Sequence, residues 1–140
     1  TNPAYSNDTQ RAKGKIVEEG MKKSIEYAKK YGLVTLFGTD LIGPREAYLE
    51  VFPQEWEYRS KYYTGFEVLQ QATKNGGDAV LLSGPKNPYP DGPLGVIEEG
   101  AYADILLVDG NPLENILILQ DYEENIDLIM KDGKVYKNEM

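Results

Sequence analysis

The chain has 140 residues, 41% hydrophobic and 27% charged, enough for one domain or for a piece of a larger one. Its net charge of −8 argues against a nucleic-acid partner or an anionic membrane surface, both of which demand clustered Lys and Arg. It contains neither cysteine nor histidine, which excludes a disulfide framework, a thiolate metal site, and a complete Ser-His-Asp or Cys-His centre within the chain.

No segment approaches the roughly 20 apolar residues that span a bilayer. The opening TNPAYSNDTQ lacks the basic and apolar regions of a signal peptide. A cytoplasmic location is therefore the expectation. Any chemistry in the chain rests on carboxylates, Lys, Tyr and backbone groups.

The first ten residues are polar and rich in turn formers, and read as a loop. In the stretch that follows, Ala12, Ile16, Val17, Met21, Ile25 and Ala28 recur at steps of three and four, one face of a helix. Glu18 precedes Lys22, and Glu26 precedes Lys30, by four residues, which supports the opposite face. Gly32 is placed to stop this helix. Leu33 to Phe37 is apolar on both faces and reads as a buried strand of an α/β fold. It runs into Gly38, Thr39 and Asp40. Without further context, Asp40 is as good a cap or turn residue as a ligand.

A connection of about two dozen residues follows, partly helical and broken at Pro53, with Tyr48, Phe52, Trp56, Tyr58, Tyr62 and Tyr63 along it. One reading makes it the wall of a substrate pocket, with Arg45, Arg59 or Lys61 pairing with a substrate carboxylate. The other packs the aromatics inward and leaves the charges in solvent. Thr64-Gly65-Phe66-Glu67 has the capping-box spacing. It opens a helix expected to reach about Asn75, break at Gly76-Gly77, and resume over Asp78 to Leu82. From residue 85 the composition changes. PKNPYPDGP holds four prolines in nine residues, and the pattern then turns to β: Leu94 to Ile97, Asp104 to Val108, a tight turn over residues 109 to 112, and a hairpin of Ile126 to Lys131 and Lys134 to Lys137 around Asp132-Gly133.

The order helix, apolar strand, GTD, loop, capped helix with LQQATKNGGDAVLL, then LGVIEEGAYADILLVDGNPLENI and LIMKDGKVYKN resembles the C-terminal part of the amidohydrolase superfamily. The resemblance spans about Lys13 to Asn138. It is strongest to the metal-dependent group with imidazolonepropionase and the Xaa-Pro dipeptidase or metal-dependent carboxypeptidase relatives. It implies an α/β fold: the last helix, strand and helix of a (β/α)₈ barrel over residues 1–84, then the C-terminal share of a composite β-sandwich over residues 85–140. Leu33 to Phe37 becomes the eighth barrel strand. Asp40 then falls on the family aspartate that binds a metal and takes a proton from the attacking water, at the barrel face where active sites lie.

The implied cofactor is zinc or another divalent metal, and the implied reaction is hydrolysis of a carbon–nitrogen bond in a small-molecule or peptide substrate. The family's His-x-His pair, its other histidine ligands and its carbamylated lysine have no counterpart here and are expected upstream of residue 1. The chain is accordingly expected to be inactive by itself, and to exist as a homo-oligomer or with an N-terminal part missing. Two other readings stay open: a non-catalytic, self-associating or binding module, and a carbohydrate- or peptide-binding domain that uses the Tyr and Trp loop without a metal.

Overall fold

The computed structural model describes residues 7–140. The chain divides into two compact units, one ending at Thr35 and one running from Leu36 to Met140.

The first unit is built on α1, Asp8–Tyr31. Its start lies within the stretch expected to be a loop. Asn7 caps it by accepting a hydrogen bond from the Gln10 N–H at 2.9 Å, and Asp8 meets the positive end of the helix dipole. The remaining residues of that loop, 1–6, lie outside the described residues. Gly32, at φ +61°, ends the helix, and the Leu33 N–H returns to the Ala28 carbonyl at 2.8 Å. Ala28 is buried, but Ile16 is 70% exposed and Val17 57%. The apolar face is present as the periodicity requires, and much of it is uncovered.

Residues 33–42 form neither helix nor strand, contrary to the expected strand at Leu33 to Phe37. The physical reason is pairing. A strand exists through its ladder, and among the described residues this stretch joins no sheet. The Phe37 N–H instead donates to the Gln71 carbonyl, in a helix, at 3.1 Å.

The second unit begins with four short helices. They are α2 Arg45–Val51, α3 Gln54–Ser60, α4 Gly65–Ala72 and α5 Lys74–Leu81. Pro53 separates α2 from α3, as expected. The capping box at α4 is complete: Glu67 accepts from the Thr64 N–H at 2.7 Å, and Thr64 Oγ1 accepts from the Glu67 N–H at 3.3 Å.

Gly76 and Gly77 lie inside α5 rather than breaking it. The joint is at Thr73, whose φ −121° and ψ −94° leave the helical region. Gly77 is buried because the Leu94 backbone lies directly against it, and a Cβ there would collide with the Leu94 carbonyl. Gly95, at φ +73°, sits in the same way on the backbone of Thr73. This docking holds Leu94 to Ile97 in a loop in place of the expected strand.

A 3₁₀ turn, Gly84–Lys86, follows α5. Beyond the proline-rich loop come β1 Ile105–Val108, a 3₁₀ helix Ile116–Gln120, α6 Tyr122–Asn125, β2 Ile126–Lys131 and β3 Lys134–Asn138. The sheet is antiparallel in the order β1-β2-β3, with Leu106 opposite Ile129 and Met130 opposite Val135. Asp132 and Gly133 both take positive φ, the geometry of a two-residue hairpin turn.

The core of this unit is small. Val68, Ile116 and Leu119 are buried, with Phe37, Trp56, Tyr63, Leu69, Val108 and Ile118 packed around them. The unit therefore runs across the composition change at residue 85, joining helices before it to the 3₁₀ helix after it. Among the described residues the architecture is α/β, with one small antiparallel sheet.

Candidate functional site

The site is defined by the segment Phe37-Gly38-Thr39-Asp40. Phe37 is its anchor. The ring lies 4.3 Å from that of Trp56 and 5.9 Å, edge-on, from that of Phe52, centroid to centroid. The Arg59 guanidinium carbon sits 4.9 Å over the Phe37 ring. Helices α3 and α4 thus grip the residue, the first through Trp56 and Arg59, the second through the Gln71 carbonyl.

Asp40, three residues on, is exposed and holds φ +49°. Left-handed backbone is uncommon for a residue with a Cβ, and Asp is among the few that take it readily. The segment therefore makes a sharp bend at its acid.

The charged residues of the aromatic connection divide into two groups. Arg59 is not available to a substrate carboxylate: its Nε donates to Glu55 Oε1 at 2.6 Å and its Nη1 donates to Gln71 Oε1, with the Arg59 and Glu55 side chains only 14% and 18% exposed. Lys61 pairs with Glu57 at 3.0 Å on the surface. Arg45 is exposed in the first turn of α2. The aromatics follow the packing alternative: Tyr48 stacks on Phe52, Trp56 and Tyr63 join the core, and Tyr58 lies beside Tyr62.

Sequence reasoning missed Phe37 as an anchor, and it missed Gln71. Gln71 is 3% exposed, yet in the sequence it looks like an ordinary solvated helix residue. The signal that was present is its place three residues after the buried Val68, on the same face of α4.

The donors of this chain do not by themselves fit a metal ion. Among the described residues no group of three or more Asp and Glu side chains is placed to hold one. Asp40 offers one carboxylate, and a divalent cation needs several ligands. A groove of about 490 Å³ lies elsewhere, lined by Tyr122, Glu123, Glu124, Ile129, Lys137 and Glu139. Its lysine is engaged with Glu139 at 2.8 Å, and no residue of the GTD segment lines it. Among the described residues no helix is long and apolar enough to cross a membrane.

No family model matches the chain. Ochratoxinase of Aspergillus niger is 29% identical over 126 residues, covering 90% of this chain and 24% of the ochratoxinase. Among solved structures, an amidohydrolase is 36% identical with a TM-score of 0.67, covering 84% of this chain and 26% of that one. A prolidase complexed with N-methylphosphonate-L-proline is 29% identical with a TM-score of 0.73, covering 94% and 30%. The structure of A. niger ochratoxinase superimposes with a TM-score of 0.75 at 26% identity, covering 96% and 29%. The chain thus spans about a quarter of the length of the curated relatives it matches. With that likeness running along most of its residues, the chain belongs to the amidohydrolase superfamily and corresponds to the C-terminal part of it.

Proposed function

We propose that this chain is the terminal part of a metal-dependent amidohydrolase that hydrolyses a carbon–nitrogen bond, in a cyclic amide or at a peptide C-terminus. The observation that carries the reading is the extent of the likeness. Structures named as an amidohydrolase, a prolidase and a Xaa-Pro dipeptidase each match more than four-fifths of the chain. On this reading residues 1–84 close a (β/α)₈ barrel and residues 85–140 are a share of a composite β-sandwich. Residues 33–37 become the eighth strand once a neighbouring strand supplies the ladder.

In that role Asp40 would give one carboxylate to a zinc or other divalent ion whose remaining ligands would come from residues outside this chain. The same carboxylate takes a proton from the attacking water and returns it to the leaving nitrogen. The left-handed backbone at Asp40 is in keeping with a residue held for function. The uncovered apolar residues Ile16, Val17, Val34 and Leu36 are in keeping with surfaces meant to be covered by the rest of a barrel. A cytoplasmic enzyme acting on dipeptide-like substrates is the corresponding setting.

The test uses the longer protein encoded when the reading frame is followed upstream, assayed with zinc on Xaa-Pro dipeptides and N-acyl amino acids. Asp40→Asn is expected to lower kcat by about a thousandfold, the loss of a proton-transfer group. An Asp40→Asn enzyme that keeps a tenth or more of the activity overturns the assignment. The 140-residue chain alone is expected to be inactive.

A second reading, a self-associating module without catalysis, is favoured by the same exposed apolar residues. It would prevail if the upstream sequence offered no metal-binding histidines.

A further inference from the structure

We propose that Arg59 is a positioning residue for Asp40. Together with Gln71 it clamps Phe37, and the clamp fixes the Gly38-Thr39 link from which Asp40 projects. The inference rests on the reading of Asp40 as the working carboxylate.

The argument starts from what holds residues 36–42. Leu36 and Ile42 are exposed, and no helix or ladder orders the segment. Its attachment to the folded unit is through Phe37, by the backbone bond to the Gln71 carbonyl and by the ring among Phe52, Trp56 and Arg59. Gln71 serves twice, since its main-chain oxygen receives the Phe37 N–H while its side-chain oxygen receives Arg59 Nη1.

Arg59 needs its planar shape for three tasks at once. One nitrogen reaches Glu55, a second reaches Gln71, and the flat face covers the Phe37 ring. A lysine ammonium is a point charge and cannot meet all three directions. The half-buried setting raises the worth of such a contact above that of a surface pair. Two of the contacts hold the guanidinium in place and the third sets it against the Phe37 ring, three residues before the acid.

The chain has no cysteine, so Thr39→Cys accepts a single spin label next to Asp40. Two readings are taken on the 140-residue chain: the label's mobility and the hydrogen-exchange protection of the Phe37 amide. The amides of β2 report the fold. Arg59→Met is expected to lower Phe37 protection by about tenfold and to sharpen the label spectrum, with β2 unchanged. Gln71→Leu fills the same space but removes the acceptor for Arg59, and is expected to lower Phe37 protection as well, a loss that a merely space-filling role does not give. Phe37 protection within about twofold of wild type in Arg59→Met overturns the proposal. If Arg59→Met loses the β2 protection, Arg59→Lys decides by the same two readings. Failure of the clamp appears here whatever the assay of the longer enzyme shows. Failure of the Asp40 reading appears as an active Asp40→Asn enzyme while the Phe37 readings stand.

Discussion

Two adjacent glycines in α5 show how much a single position depends on its surroundings. Gly76 and Gly77 have the same sequence signature, and both suggest a helix break. A Cβ on Gly76 would meet nothing within 4 Å, whereas one on Gly77 would strike the Leu94 carbonyl. Their alanine variants should therefore differ in sign. Gly76→Ala is expected to stabilise the chain by up to about 1 kcal/mol, through helix propensity alone. Gly77→Ala is expected to destabilise it by about 2 kcal/mol or more, because backbone must move. Urea midpoints at constant slope check the pair, and equal shifts would contradict the close approach of residue 94. Asp40 follows the same logic: its residue type was readable in the sequence, but its backbone bend was not, since nothing local distinguishes a left-handed aspartate from an extended one.

Among the elements, α1 was legible because it carries every local signal at once: periodicity, i,i+4 pairs and a terminal glycine. The hairpin was legible for the same reason, its turn type being written in Asp132-Gly133. The expected strands at 33–37 and 94–97 were not realised, because a strand is a relation between two segments and no single segment carries it. Gln71 stayed hidden because its burial comes from α3 and from residue 37, both distant in sequence.

The ion pair on α1 has a pH signature. The Glu18 carboxyl is held below its usual range, first by the hydrogen bond from Lys22 at 2.7 Å and then by that ammonium's charge. A carboxyl whose pKa falls on folding supports the helix above its unfolded pKa and loses that support as pH falls through the folded value. A peptide spanning Asn7 to Gly32 is expected to lose helicity on acidification from about pH 6 to about pH 3. The Glu18→Gln peptide should lose less of it, measured by circular dichroism. Equal losses in the two peptides would remove the pair from the account.

For the whole molecule, the decisive feature is how little core it has for its apolar content. Three residues form the buried cluster of the second unit, while Ile16, Val34, Leu36, Ile42 and Leu82 are among many large apolar residues left in solvent. Such surfaces drive association. The 140-residue chain is expected to sediment as concentration-dependent oligomers in the micromolar range. Ile16→Glu combined with Val34→Glu should shift it toward monomer without altering the β2 amides. A monodisperse monomer from the unmodified chain would show that these residues are covered within it.

The sheet constrains which surfaces can take part. With β2 in the middle, β1 and β3 are both outer strands, and β3 carries the exposed Lys134, whereas Lys137 is paired with Glu139. Lysines on a border strand repel an identical border approaching from another copy. Growth of the sheet by β3 meeting β3 is therefore disfavoured, a guard against fibrillar stacking that the ILLV border of β1 does not share.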